Sequence, residues 1–198
     1  MTANVDTIAA FLSSYKRKEV VDPSLVAAGV LMLLFERENE LRLLFTKRTE
    51  EVEHHKGQIS FPGGAREDKD ATIVETALRE SEEEIGLDRR DVRIIGLHDD
   101  LATHTGFIVT PVVGSVPAVP KLVPSSSEVS EIFDVPFSHF LVRGHLSTKT
   151  LERQGVKREA YVYSYGEREI WGITAAIIRS FVESFASFLR QDEKKKEL

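Results

Sequence analysis

Four glutamates lie within five residues of one predicted helix, at Glu80, Glu82, Glu83 and Glu84. Of these, Glu80, Glu83 and Glu84 stand at positions i, i+3 and i+4, so their carboxylates share one face of the helix. Like charges this close repel one another, and a bound divalent cation is the economical way to compensate them. The alternative is a solvated acidic face, which is the usual explanation for a run of charge.

Any metal in this chain must be held by oxygen or imidazole ligands, because the sequence contains no cysteine. Disulfides, thiolate nucleophiles and zinc–thiolate sites are excluded, and we expect Mg²⁺ or Mn²⁺ as the cofactor. The net charge of −6 disfavours a general nucleic-acid-binding surface. It permits a small phosphate-bearing substrate, since a local basic pocket or a bound metal can override the mean charge.

The residues around the acidic run give it a specific context. Gly63-Gly64 precedes the helix by a short loop, Arg79 begins the acidic cluster, and an Ile-Gly-Leu sequence ends it. Residues 64–87 resemble the Nudix box, G-x5-E-x7-R-E-U-x-E-E-x-G-U, in which U is an aliphatic residue. The second half matches except that Ser81 replaces the aliphatic residue. The first half contains one extra residue before Arg79, and Asp70 stands near the place of the first glutamate.

The extra residue and several segments outside the box resemble the coenzyme A pyrophosphatase branch of the Nudix family. The upstream signature of that branch is similar to residues 44–48 and 55–64, and further similarity lies at residues 105–113, 128–129 and 170–175. The resemblance implies an α/β protein with the Nudix fold, an α/β/α sandwich around a mixed β-sheet. It also implies a set of substrate-binding residues, namely Lys47, Arg48, His55 and Gln58.

The activity implied by the resemblance is metal-dependent hydrolysis of the diphosphate bond of coenzyme A or its derivatives. The products would be 3′,5′-ADP and 4′-phosphopantetheine. Glu53 stands where the branch has an arginine, and a glutamate does not reproduce a phosphate or adenine contact. Two alternatives therefore stay open: a hydrolase of another nucleoside diphosphate derivative, such as ADP-ribose, NADH or a dinucleoside polyphosphate, and a non-catalytic nucleotide-binding module.

The charges of the box residues suggest their roles. We predict that Glu80, Glu83 and Glu84 hold the metal and that Glu84 or Glu83 deprotonates the attacking water. Arg79 would orient a box glutamate through a bidentate pair. The glycine Gly64 would let the backbone turn sharply beside the metal and offer its carbonyl as a further ligand.

Glu128 is a further acidic candidate, in the loop that follows a proline- and serine-rich stretch. One interpretation is that it caps a helix or strand. The resemblance offers another, because an acid in the corresponding loop of Nudix enzymes helps the metal site or activates water.

The elements that must position these residues follow from apolar spacing and turn residues. We predict one domain over residues 1–198 with its core in 24–190, and a charged tail at 191–198. The predicted helices span residues 5–17, 72–85, 137–141 and 171–190. The predicted strands span residues 26–35, 41–46, 93–97, 106–116, 132–136 and 159–165. The predicted loops include residues 52–64 and 117–127.

The sequence shows neither a signal peptide in its first residues nor an apolar run of about 18–20 residues. We therefore expect a cytoplasmic protein that does not bind membranes. Its expected partner is a small nucleoside diphosphate derivative, and we also allow for a homodimer.

Overall fold

The computed structural model describes residues 3–50, 57–153 and 156–196. The helices are α1 (Val5–Ser14), α2 (Ile73–Ile85), α3 (Phe137–Leu141) and α4 (Gly172–Lys196). The strands are β1 (Val26–Arg37), β2 (Glu40–Arg48), β3 (Ile59–Ser60), β4 (Gly63–Ala65), β5 (Arg93–Leu97), β6 (Leu101–Ala102), β7 (Phe107–Ser115), β8 (Val129–Pro136), β9 (Leu146–Arg153), β10 (Val156–Tyr165) and β11 (Arg168–Trp171). Short 3₁₀ turns occur at Arg89–Asp91 and Arg143–His145.

The larger sheet is mixed. Its strands run in the order β3-β2-β1-β7-β5, while β4 pairs with β1, β6 with β7 and β8 with β2. The central strands β1 and β7 are parallel, in a register that begins at Val26↔Phe107 and ends at Leu34↔Ser115. The other pairs in the described part of the sheet are antiparallel. Strands β9, β10 and β11 form a second, antiparallel sheet.

Alternation along β1 divides the core into two halves. Leu31, Leu33 and Phe35 point to the face that α2 covers, whereas Met32 and Leu34 point to the opposite face. Helices α1 and α4 cover that second face with an aromatic cluster that includes Phe11, Phe181 and Phe185. Helices on both faces of a mixed sheet confirm the predicted α/β/α sandwich.

Helix α2 approaches the sheet closely where β1 carries a glycine. A Cβ atom at Gly29 would lie 2.7 Å from the carbonyl oxygen of Ile73, the first residue of α2. Gly29 also pairs with Gly64 of β4. The missing side chain therefore lets the beginning of α2, the centre of β1 and the glycine strand β4 lie against one another.

The first helix is shorter than predicted. Residues 5–17 were expected to be helical, but α1 ends at Ser14 and Tyr15 has an extended backbone. The reason lies in long-range contacts: Asp99 accepts a hydrogen bond from the backbone N–H of Lys18 at 2.9 Å, and Arg17 donates to both carboxylate oxygens of Asp100 at 3.0 Å. These bonds draw residues 15–20 across the molecule instead of continuing the helix.

Several strands also differ from the sequence prediction. Strand β8 begins at Val129 and β10 at Val156, both earlier than predicted, and the predicted loop 52–64 contains β3 and β4. Residues 51–56 of that loop lie outside the described part of the chain. Strands β6, β9 and β11 were not predicted. Two are very short, and β9 begins with the polar sequence Leu-Ser-Thr-Lys-Thr, which lacks an alternating apolar pattern.

Helix α4 is longer than predicted and continues through Lys196, so the expected charged tail from residue 191 is largely helical. Its part Gly172–Glu193 is long and apolar enough to cross a membrane by length and composition alone, contrary to the sequence expectation. The apolar side of the helix packs into the core instead, through Ile177, Ile178 and Phe181.

Candidate active site

The acidic run lies on α2, whose ends are fixed by local signals. Thr72 caps the N-terminus by accepting the backbone N–H of Glu75 at 3.2 Å, and Gly86 ends the helix in the left-handed conformation. Ser81 occupies the core-facing position where the Nudix box has an aliphatic residue, and it is fully buried. Its hydroxyl donates to the carbonyl of Ala77 at 2.6 Å, so the helix itself satisfies this polar group.

Glu84 is the most deeply buried carboxylate of the acidic run. Its side chain is 5% exposed, accepts the backbone N–H of Gly63 at 3.2 Å, and lies 3.5 Å from Nη1 of Arg48. Burial raises the pKa of Glu84 to about 7, and the Gly63 N–H and the positive charge of Arg48 only partly oppose this effect. A buried acid with so little compensation is typical of a functional site.

Arg79 anchors the helix through a buried ion pair. Its Nε and Nη2 atoms donate to the two carboxylate oxygens of Asp70, each at 3.0 Å, and Nη2 also donates to the carbonyl of Ala65 at 3.1 Å. The bond to Arg79 holds the pKa of Asp70 well below its usual range, and Asp70 in turn raises the pKa of Arg79. The prediction that the bidentate partner of Arg79 is a glutamate of the box is therefore wrong.

Glu80 and Glu83 share the remaining nitrogen of Arg79. The distances from Nη1 of Arg79 are 2.8 Å to Glu80 and 3.0 Å to Glu83. Burial raises the pKa of Glu80, which is 17% exposed, whereas the side chain of Glu83 is 54% exposed. In the part of the chain that the structure describes, no three acidic or histidine side chains converge as a metal cage. The metal-binding roles of these glutamates, including Glu84, thus stay predictions.

Gly64 lies directly against Glu80. A Cβ atom at Gly64 would be 2.5 Å from the carboxylate carbon of Glu80 and 2.6 Å from both of its oxygens. Any side chain there would displace the carboxylate. The structure thus brings the predicted metal residues Gly64 and Glu80 into contact, and glycine at this position leaves the Glu80 carboxylate in place.

The loop before β8 is tied to the end of α2 by backbone hydrogen bonds. The N–H of Ser125 donates to the carbonyl of Glu84 at 2.8 Å, and the N–H of Val123 donates to that of Ile85 at 2.9 Å. This places the exposed Glu128 near the acidic helix. Burial is the largest cause of the raised pKa values of Glu80 and Glu84, and the negative charge of Glu128 adds to both.

The predicted substrate-binding residues have different positions. Arg48 contacts Glu84, and its buried Nε has no hydrogen-bond partner among the described residues. Lys47, the preceding residue of β2, pairs with Ile59 of β3 and with Glu131 of β8. The carbonyl of Gln58 accepts the backbone N–H of Arg48 at 3.0 Å. His55 and the departure at Glu53 lie outside the described residues.

Sequence reasoning missed two features of the site. The bidentate partnership of Asp70 with Arg79 had a signal, because Asp70 stands near the place of the first glutamate of the box. Thr49, which binds the backbone next to Glu128, had no signal, because its partners lie far along the chain.

Comparison with known proteins places this arrangement in a family. A family model described as NUDIX domain matches residues 25–149. Nudix hydrolase NudL of Pectobacterium atrosepticum is 38% identical over 136 residues, which cover 69% of this chain and 71% of that protein. The NudL protein of Yersinia enterocolitica is 34% identical over 181 residues, which cover 89% of this chain and 92% of that protein.

Solved structures share the fold at low sequence identity. An Ap4A hydrolase binary complex from C. elegans aligns with a TM-score of 0.54 and 12% identity, covering 84% of this chain and 99% of that one. A NUDIX hydrolase from Alicyclobacillus acidocaldarius aligns with a TM-score of 0.54 and 17% identity, covering 80% and 91%. Because the NUDIX model spans more than half of the chain and both NudL relatives exceed 30% identity, the chain belongs to the Nudix hydrolase family, whose members act on diphosphate bonds and use divalent metals.

Proposed function

We propose that this Nudix hydrolase cleaves the diphosphate bond of coenzyme A or an acyl derivative to 3′,5′-ADP and the 4′-phosphopantetheine product. One observation carries the proposal: residues of the coenzyme A signature meet the Nudix box at Glu84. The signature residue Arg48 lies 3.5 Å from that carboxylate, and Gly63 donates its N–H to it at 3.2 Å. The segment that resembles the coenzyme A signature thus lies against the acidic helix, which supports a single site that both would form.

The chemistry of the donor set suits a hard divalent cation, although the acidic side chains of the described residues are not gathered around one point. Glu80 and Glu84 are carboxylates withdrawn from water, and the charge of Glu128 adds to theirs. Such a donor set, all oxygen, suits Mg²⁺ or Mn²⁺. Glu80, Glu83 and Glu84, with the carbonyl of Gly64, would hold the ion. When bound, it would neutralise the diphosphate and stabilise the charge that develops on the leaving phosphate.

The side chains of the site would have separate roles in proton transfer, phosphate binding and positioning. Burial raises the pKa of Glu84 to about 7, so this carboxylate is the better candidate to accept a proton from water, and the exposed Glu83 is the second. Arg48 supplies a partly exposed guanidinium beside Glu84, and this positive charge is the candidate phosphate contact. Arg79 is engaged by Asp70 and positions Glu80 and Glu83 without touching substrate.

A substrate panel tests this proposal. The purified protein is incubated with Mn²⁺ or Mg²⁺ and, separately, coenzyme A, an acyl-coenzyme A, ADP-ribose, NADH and a diadenosine polyphosphate, and the products are identified by mass. We expect 3′,5′-ADP and the matching phosphopantetheine, with the highest kcat/KM for coenzyme A or its acyl form. Preferential cleavage of another compound would refute the coenzyme A assignment, and no product from any of them would favour a binding module.

A further inference from the structure

Thr49 lies just beyond the end of β2, with a residue exposure of 8%. Its hydroxyl donates to the carbonyl of Ser127 at 3.2 Å, and its backbone N–H donates to the carbonyl of Glu128 at 3.0 Å. Its own carbonyl accepts the N–H of Gly57 at 3.4 Å. Thr49 therefore holds two consecutive carbonyl groups, one on each side of the Cα atom of Glu128.

The opposite end of the same short segment is attached to α2. The N–H of Ser125 donates to the carbonyl of Glu84 at 2.8 Å, and the N–H of Glu128 donates to the carbonyl of Ser125 at 3.0 Å. Residues 125–128 thus form a turn fastened to the catalytic helix at one end and to Thr49 at the other. Where the turn meets α2, it is held by a backbone hydrogen bond. Where it meets Thr49, one of the hydrogen bonds comes from a side chain, which a substitution can remove.

The negative charge of Glu128 is what connects this turn to the proposed cation site. Glu128 is exposed, and its backbone lies beside the acidic end of α2, because Ser125 binds the carbonyl of Glu84 and Val129 pairs with Arg48. Burial is the main cause of the raised pKa values of Glu80 and Glu84, and the negative charge of Glu128 adds to both. An exposed loop carboxylate contributes reliably to cation binding only where the backbone that carries it is held in place. The hydroxyl of Thr49 supplies that restraint from the recognition side of the site.

We propose that Thr49 is a positioning residue that acts through Glu128: its hydroxyl holds the Ser127–Glu128 peptide so that the Glu128 carboxylate adds to the cation site of α2. The inference rests on the proposed function. The end of β2 would then have two roles. Arg48 contacts Glu84, and the adjacent residue Thr49 sets the position of Glu128, more than seventy residues later in the chain.

The test is a double-mutant cycle on cation affinity. Thr49→Val and Glu128→Gln are made singly and together, and Mn²⁺ dissociation constants are measured by electron paramagnetic resonance on the full chain. We expect Thr49→Val to weaken Mn²⁺ binding about 10-fold when Glu128 is present and to have no further effect in Glu128→Gln. Thr49→Ser, which keeps the hydroxyl, should restore the affinity.

Thr174→Val is the matched control. Thr174 is equally buried, and its hydroxyl also donates to a backbone carbonyl at 3.2 Å, that of Ile59, without contacting residues 125–128. We expect Thr174→Val to lower the thermal midpoint about as much as Thr49→Val while leaving Mn²⁺ affinity unchanged. An equal loss of Mn²⁺ affinity in both threonine variants would overturn the proposal. An equal effect of Thr49→Val with and without Glu128 would also overturn it, as would an unchanged affinity in Thr49→Val.

The same proteins separate this inference from the proposed function. If the wild type cleaves none of the panel compounds, the substrate proposal fails while the Mn²⁺ cycle still decides the role of Thr49. If the wild type cleaves coenzyme A, the rate at sub-saturating Mn²⁺ should follow the Mn²⁺ affinities, with Thr49→Val slower than Thr49→Ser, while KM for coenzyme A stays little changed.

Discussion

Glu84 is buried, weakly compensated and in contact with both Gly63 and Arg48. A carboxylate in such a place costs stability, because an ionised group prefers water to a site with one N–H donor and a cation at 3.5 Å. Natural sequences keep such groups mainly where function requires them. The residue should therefore be expendable for folding and indispensable for turnover.

Glu84→Gln tests this separation of roles. We expect the kcat for diphosphate cleavage to fall by roughly 10²–10⁴-fold, because glutamine keeps the shape but accepts no proton at neutral pH. The thermal midpoint should stay the same or rise, since the neutral amide costs less to bury. Activity is followed by product mass and stability by calorimetry.

Glu82→Gln is the control for that experiment. Glu82 lies on the same helix but pairs with Arg89 at the surface, and it should retain full activity. Retained turnover of Glu84→Gln at normal Mg²⁺ would show that Glu84 is not the group that accepts the proton from water.

Residue types and spacing predicted part of this site. Positions i, i+3 and i+4 predicted a shared face, yet the structure sends Glu80 and Glu83 to Arg79 and Glu84 to Gly63. Which partner each carboxylate finds depends on how deeply it is buried next to the glycine strand β4. Spacing along a helix predicts the direction in which a side chain points but not how deeply it is buried. The sequence therefore could not predict the partner of each glutamate.

At the scale of elements, α2 is attached to the sheet by more than apolar packing. The loop before it supplies Asp70, which binds Arg79 twice and also accepts the hydroxyl of Thr76 and the N–H of Glu67, each at 3.0 Å. Both members of the ion pair are almost fully buried. The helix is therefore fixed in rotation about its axis, which determines where Glu80 points.

Asp70→Asn should destabilise the protein by about 1.5–3 kcal/mol, because it removes the buried carboxylate that accepts both Nε and Nη2 of Arg79 and leaves the guanidinium with carboxylate partners only at Nη1. Glu82→Gln removes an ion pair from the same helix at the surface and should cost about 1 kcal/mol or less. Urea denaturation of both variants measures the difference. Equal losses would contradict the assignment of Asp70 as the anchor of α2.

The elements that the sequence predicted well are the ones with strong local signals. Strand β5 and helix α3 have the predicted bounds, and α2 differs only at its capping residue, Thr72. The glycine strand β4 and strand β3 were predicted as loop. They are too short to show a period, and β4 consists of two glycines and an alanine, in which Gly63 lies against the backbone of β1 and Gly64 against Glu80 of α2.

Across the whole molecule, α1 closes the face of the sheet opposite the site. The chain after α1 places Tyr15 on His98, with ring centroids 4.9 Å apart and planes inclined by 8°. His98 is fully buried, and both of its ring nitrogens lack a hydrogen-bond partner in the described residues. Burial lowers the pKa of His98 to about 4, which the charge of Asp99 opposes and that of Lys18 reinforces.

This burial makes global stability depend on pH. Above its unfolded pKa of 6.5, His98 is neutral in both states; below it the unfolded chain binds a proton that the folded protein excludes until about pH 4. The free energy of unfolding should therefore fall by about 2 kcal/mol between about pH 7 and about pH 5 through this residue. Urea denaturation of wild type and His98→Phe at both pH values isolates the effect. The same pH dependence in both proteins would show that His98 has no part in it.

The parallel pair β1–β7 sets the order in which the molecule can assemble. Its partners are about 80 residues apart, as Val26↔Phe107 and Leu34↔Ser115 show. During synthesis α2 emerges before β7 and Glu128. Its acidic residues are therefore present before β7 has paired with β1. Contacts this distant in sequence form slowly, and an unfinished chain exposes the edge of β1. The hydrolase site therefore forms late in folding. It is absent from any nascent chain whose C-terminal half has not yet been synthesised.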